Sequence, residues 1–160
     1  MTEHSYCLQL RWTGNIGSGT NHYGGYKRDY TIDIDEHPTL LCSSDPAFRG
    51  DCRRYNPEEL LLGALSGCHM LWYLSLCAES GVIVSEYEDR PIGLMHETKT
   101  GEGEFHKVIL RPRVVVMQGS LDSARTLHSR AAEKCFIARS VNFPVEHEPT
   151  IIGAPVDDVT

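Results

Sequence analysis

From Leu60 to Ala78 the chain carries no charged side chain, and the residues just before this run announce a helix. Asn56 is a capping residue, Pro57 takes the first helical position and Glu59, at the third, can reach back to the cap. Gly81 is a natural stop. An uncharged stretch of this length is formally a membrane-span candidate. It is interrupted, however, by Gly63, Ser66, Gly67, His69 and Ser75, opens on two carboxylates, and lacks Lys or Arg anchors on its C-terminal side. A helix apolar all round is equally the central helix of a soluble domain, and that reading is preferred, with no membrane partner.

At 160 residues the chain is the size of one domain, taken as residues 1–160, and long enough to bury a core without disulfide staples. The net charge of -7 speaks against a nucleic-acid partner, because phosphate binding needs a Lys/Arg surface. The first residues, Met1 to Tyr6, lack the basic start and apolar run of a secretory leader, so the expected location is cytoplasmic. In a reducing compartment, the six cysteines are read as catalytic, metal-binding or buried thiols rather than a disulfide framework.

Tyr6, Leu8, Leu10 and Trp12 alternate with polar residues, the period of a half-buried strand. Tyr30–Ile34 and Thr39–Cys42 predict two more strands, and together these segments form an antiparallel meander. Strands follow at 82–87, at 93–98 and at 104–117, the last two forming a hairpin across Gly101-Glu102-Gly103, and a final one at 146–152. A second helix begins near Ser120 or Asp122 and aligns Ala124, Leu127, His128, Ala131 and Cys135 on one face. The order predicts an α+β fold with helices gathered on antiparallel sheet.

A cysteine on a buried helix is commonly a small hydrophobe, the reading given to Cys7, Cys42, Cys52 and Cys77, with Cys52 in reserve as a reactive thiol among arginines. Cys77 is half a turn out of phase with Cys68, so those two do not pair. Cys68, His69, His128, Cys135 and His147 include zinc-ligand residue types, but no C-x2-C or H-x3-H spacing supports a metal centre. His69 alone reads as a packed, hydrogen-bonded core histidine. No phosphate-binding glycine loop or G-x-S-x-G element is present.

Asn56-Pro57-Glu58-Glu59-Leu60, followed nine residues after Glu59 by Cys68 in a small-and-apolar helix, and then Ala131-x-x-x-Cys135 in a second helix, resembles the OsmC/Ohr family. These are the osmotically inducible protein C and organic hydroperoxide resistance proteins. The resemblance implies an intertwined homodimer of antiparallel sheets with two central helices. It further implies a cytoplasmic peroxidase that reduces organic hydroperoxides without metal or prosthetic group and is recycled by an external dithiol or a lipoylated protein. By resemblance Cys68 is the peroxidatic cysteine, Cys135 the resolving one and Glu58 the active-site glutamate. The family's arginine falls on Arg49, with Arg53 and Arg54 as the neighbouring candidates.

The chemistry of such a set is consistent. The thiolate, not the thiol, attacks a peroxide, and an adjacent arginine favours it, while a glutamate serves best by holding the arginine in a bidentate pair. Glu58 precedes Cys68 by ten residues, about 15 Å along a helix, so the two cannot meet within one straight helix. A symmetric dimer removes the difficulty if each subunit lends its helix start to the other. Phe136-Ile137-Ala138 stands where many family members have a proline after the second cysteine, and His69, Met70, Trp72 and Tyr73 crowd the first. The competing reading is therefore a redox sensor or small-molecule binding protein on the same fold.

Overall fold

The computed structural model describes residues 2–155 and divides the chain into two compact units, one up to Leu61 and one from Leu62 onward. In the first unit, β1 (Gln9–Trp12), β2 (Tyr30–Asp33) and β3 (Leu40–Cys42) form an antiparallel sheet in that order. The long β1–β2 connection is held by its own aromatic residues. Trp12 donates its indole N–H to the Lys27 carbonyl at 2.9 Å, and the Arg28 guanidinium lies over both Tyr23 and Tyr26 while donating to their carbonyls. Gly14 is obligatory here, since a Cβ would sit 1.8 Å from the Lys27 carbonyl oxygen. The meander is as expected, but its burial is not. Tyr6, Leu8, Leu10 and Leu41 are all more than half exposed, so the alternation in this segment has no cover within one chain.

Helix α1 (Pro57–Glu79) starts in the first unit and runs into the second. Its start is a reciprocal capping box: Asn56 Oδ1 accepts from the Glu59 N–H at 2.8 Å, and Glu59 Oε2 accepts from the Asn56 N–H at 3.2 Å. It ends where Gly81 enters the left-handed region at φ 70° and the Val82 N–H returns to the Cys77 carbonyl.

The second unit contains β4 (Ile83–Asp89), β5 (Ile92–Glu97), β6 (Gly103–Leu110), β7 (Pro112–Gln118), α2 (Leu121–Lys134), β8 (Val145–His147) and β9 (Thr150–Gly153). Two mixed sheets result, β4-β7-β9 and β5-β6-β8, each with one antiparallel and one parallel pairing. The stretch expected as one strand from 104 to 117 is two strands, and the chain passes between sheets at Arg111. Pro112 has no N–H to continue a ladder, and the Arg111 N–H turns instead to Asp89 Oδ1 at 2.7 Å. The final strand is likewise two, each paired parallel to a different sheet. The fold class is α+β, with mixed rather than purely antiparallel sheets.

Helix α2 begins at the Ser120 cap, whose hydroxyl accepts from the Ser123 N–H. Its buried face, Ala124, Leu127 and Ala131, packs with Tyr73, Leu76 and Cys77 of α1 on Val82, Val114 and Val116. His69 and His128 are buried in the same interior. Burial holds both imidazoles neutral, pushing His69 down to about 4 and His128 to about 3, with the neighbouring His147 adding to each and His69 adding to His128.

Because these folded values lie below the unfolded histidine value near 6.5, acid protonates the unfolded chain first. The stability is complete above pH 6.5 and is lost as pH falls from there towards the folded values, by at most about 1.4 kcal/mol per pH unit for each histidine. Urea midpoints at pH 7.5, 6.0 and 4.5 should fall steadily, and a His69→Gln/His128→Asn double variant should flatten the decline.

Candidate functional site

Cys68 lies midway along α1 and is half-buried, whereas Cys135 is the C-cap residue of α2 and only 1 % exposed. The inward direction expected for Cys135 follows from its place on the Ala124–Leu127–His128–Ala131 face. Both thiols are free, and the fold brings their sulfurs together from two different helices of the second unit. Burial pushes the Cys135 thiol up to about 11. The Ala138 N–H, which donates to its sulfur at 3.4 Å, opposes the rise, and the adjacent Cys68 adds to it. A buried, protonated thiol thus faces a more accessible one, the asymmetry that separates an attacking from a resolving cysteine.

Aromatic groups frame this pair. Phe136, directly after Cys135, is 65 % exposed and meets Trp72 edge-on with centroids 5.5 Å apart, and the Lys134 ammonium lies 5.1 Å over the Trp72 ring. Cys77, on the far side of α1, is buried, and burial raises its thiol as well. Cys42 is fully buried, as expected, but Cys7 and Cys52 are exposed rather than packed as small hydrophobes. His128 stacks with His69 and His147, which are tilted to each other, and among the described residues no group of three or more His, Cys, Asp or Glu side chains is placed to hold a metal ion.

The charged candidates belong to the first unit. Glu58 is half-buried at the second position of α1, and its Oε2 is buried with no hydrogen-bond partner among the described residues. Tyr30 faces it from β2; burial raises the phenol, and Cys42 and then Glu58 add to the rise. The three arginines differ sharply. Arg49 is exposed, in the left-handed region at φ 68°, with its guanidinium 5.8 Å from the Tyr23 ring. Arg53 is 84 % exposed and committed to a bidentate pair with Asp51, whose carboxyl it holds below the usual range. Arg54 has a side chain only 24 % exposed, lies 3.8 Å from Asp29 and 3.9 Å from Asp51, and keeps a buried Nη1 with no partner among the described residues. Glu58 and Arg54 thus each bury a polar atom that has no partner among the described residues, a costly arrangement.

Residues 50–150 match the family model described as OsmC-like protein. The chain belongs to the OsmC-like family. Over 150 residues it is 28 % identical to the uncharacterized protein YmaD of Bacillus subtilis (strain 168), covering 91 % of this chain and 92 % of the relative. An OsmC-like protein of unknown function from Vibrio cholerae O1 biovar eltor superposes with a TM-score of 0.80 at 31 % identity, over 94 % of this chain and 100 % of the other. An organic hydroperoxide resistance protein OsmC from Legionella pneumophila shares the fold at a TM-score of 0.65 and 11 % identity, over 95 % and 99 % of the two chains.

Limiting iodoacetamide at pH 7.5 should modify the accessible Cys68 at least about tenfold faster than the buried Cys135 in the folded protein, because the reagent must reach a thiolate. Peptide mapping at the two positions gives the ratio, with the exposed Cys7 and Cys52 as internal references.

Proposed function

We propose that this protein is a dimeric, thiol-dependent peroxidase that reduces organic hydroperoxides to alcohols, and that it works in the cytoplasm. The observation that carries the reading is the accessible Cys68 set against the buried Cys135. The Cys68 thiolate attacks the terminal peroxide oxygen, the O–O bond breaks, and the departing alkoxide takes a proton to become the alcohol. Cys68 is left as a sulfenic acid, which Cys135 converts to a disulfide with loss of water. An external dithiol of the lipoyl type, free or carried on a protein, reopens the disulfide. The chemistry is carried by the two thiols, with no metal or prosthetic group assigned a step.

Activation of Cys68 falls to an arginine held by Glu58. Among Arg49, Arg53 and Arg54, the burial and unpartnered Nη1 of Arg54 favour it, whereas Arg49 stands in solvent and Arg53 is already paired. Glu58 lies ten residues before Cys68 in the continuous α1, about 15 Å along its axis, so this charge is supplied from the partner subunit. Three further features support a homodimer. The apolar side chains around β1 are exposed, only 28 % of the apolar window of α1 is buried within one chain, and Gly63 and Gly67 open one face of α1 to close backbone approach.

Cys68→Ser should abolish turnover of cumene hydroperoxide with dihydrolipoamide, whereas Cys135→Ser should consume about one equivalent of peroxide and then accumulate sulfinic acid, read by intact mass. Arg54→Ala should slow the peroxide step roughly tenfold or more by removing the cation that assists Cys68, while Arg49→Ala and Arg53→Ala should stay within about twofold. If none of the three arginine variants changes the rate, the activated-thiolate reading fails and the chain is better taken as a redox sensor or binding protein.

A further inference from the structure

Two buried histidines that the thiol chemistry leaves unused join the helices that carry the two cysteines. His69 of α1 and His128 of α2 are 1 % and 0 % exposed, and His69 Nε2 lies 3.0 Å from His128 Nδ1 with the ring planes within 8°. Tyr73, one turn further along α1, stacks on His128 at 3.8 Å. From β8, His147 approaches the two rings at 5.7 and 6.2 Å. Cys77 and Tyr87 lie beside Tyr73, and no carboxylate bonds to any of the three imidazoles among the described residues.

Two apolar side chains would close this interior without desolvating imidazoles, and the His128 Nε2 remains unpartnered within it. What the imidazoles add is direction. A hydrogen bond tolerates far less rotation than an apolar contact, so it fixes which faces of α1 and α2 meet. His69 directly follows Cys68, and His128 stands seven residues, two helical turns, before Cys135 on the same face. A rotation of either helix by one residue's worth, about 100°, would turn one thiol away from the other.

We propose that His69 and His128 are positioning residues for disulfide formation, their hydrogen bond setting the rotation of α1 and α2 at which the Cys68 and Cys135 sulfurs meet. The inference rests on the reading of those thiols as a redox pair. In the step concerned, the organic hydroperoxide has already oxidised Cys68 to the sulfenic acid. The Cys135 thiol gives up its proton and attacks the Cys68 sulfur, the S–S bond forms, the S–O bond breaks, and hydroxide leaves with that proton as water. Attack requires the incoming sulfur nearly in line with the departing oxygen, so a small error in helix rotation slows this step. Peroxide attack uses Cys68 and its activating arginine but not Cys135, so it does not depend on the brace.

The test separates the two steps in the full-length protein, using one equivalent of cumene hydroperoxide at pH 7.5. Peroxide consumption reports attack, and quenched samples mapped by mass report the Cys68–Cys135 disulfide. In His69→Leu, disulfide formation should slow at least about tenfold and the Cys68 sulfenic acid should persist, trapped with dimedone, with peroxide consumption within about twofold of wild type. His69→Gln places an amide N–H near the Nε2 position and should restore the disulfide rate to within about threefold, whereas the shorter amide of His69→Asn should not. The two amide variants keep the comparison valid if His69→Leu does not fold. Equal disulfide rates in Gln and Asn variants, or attack and disulfide formation slowed together without rescue by Gln, would overturn the proposal. A wild type that consumes peroxide but links neither thiol would overturn this inference together with the two-cysteine reading, while a brace failure alone leaves the wild-type disulfide intact.

Discussion

The burial of α1 governs the rest of the structure. A helix with no charge between Leu60 and Ala78 must be covered, and the chain covers one side of it. Leu65, His69, Tyr73, Leu76 and Cys77 are buried, and α2 and the valines of β7 close over Tyr73, Leu76 and Cys77. At roughly 25 cal/mol per Å² of apolar surface, side chains of this size contribute about 1.5–3 kcal/mol each when fully buried. The same packing determines what the helix presents elsewhere. Cys68 is left half-buried beside Cys135, and Gly63, Ala64 and Leu71 remain exposed on the helix surface.

Electrostatics divides the site in two. The thiols sit among apolar and neutral aromatic groups, where burial favours the protonated form of Cys135. In the first unit, Arg54 and Glu58 each keep a buried atom without a partner among the described residues. Under the proposed function, the thiol pair of one subunit receives its cation and carboxylate from a second copy and lends its own in return. That is the physical content of the homodimer proposal, and the reason why Glu58, ten residues from Cys68 in one helix, is useful at all.

Much of this was legible because the signals are local. The capping box, the missing charges and the glycine stop define α1, and the three- and four-residue spacing along α2 puts Cys135 inward. Non-local pairings were not. The run from 104 to 117 reads as a single strand because only Pro112 breaks it, and parallel pairing of β8 and β9 depends on partners more than thirty residues away. The alternation around β1 signals a face to be covered, but a single chain does not cover it. Arg49, Arg53 and Arg54 are indistinguishable by residue type, and only burial and pairing separate them. His69 is recognisable as a core histidine, yet its partner His128 lies 59 positions away, so their bond emerges only in the fold.

The central claim is that the fold holds Cys68 and Cys135 as one redox pair. Wild-type protein treated anaerobically with one equivalent of cumene hydroperoxide, alkylated and digested decides it most directly. The account predicts a single dominant linked peptide joining residue 68 to residue 135, with one equivalent of cumyl alcohol released and Cys42 and Cys77 still alkylated as free thiols after denaturation. Oxidised Cys68 linked to Cys52 or Cys7, or left unlinked while Cys135 remains free, would contradict it.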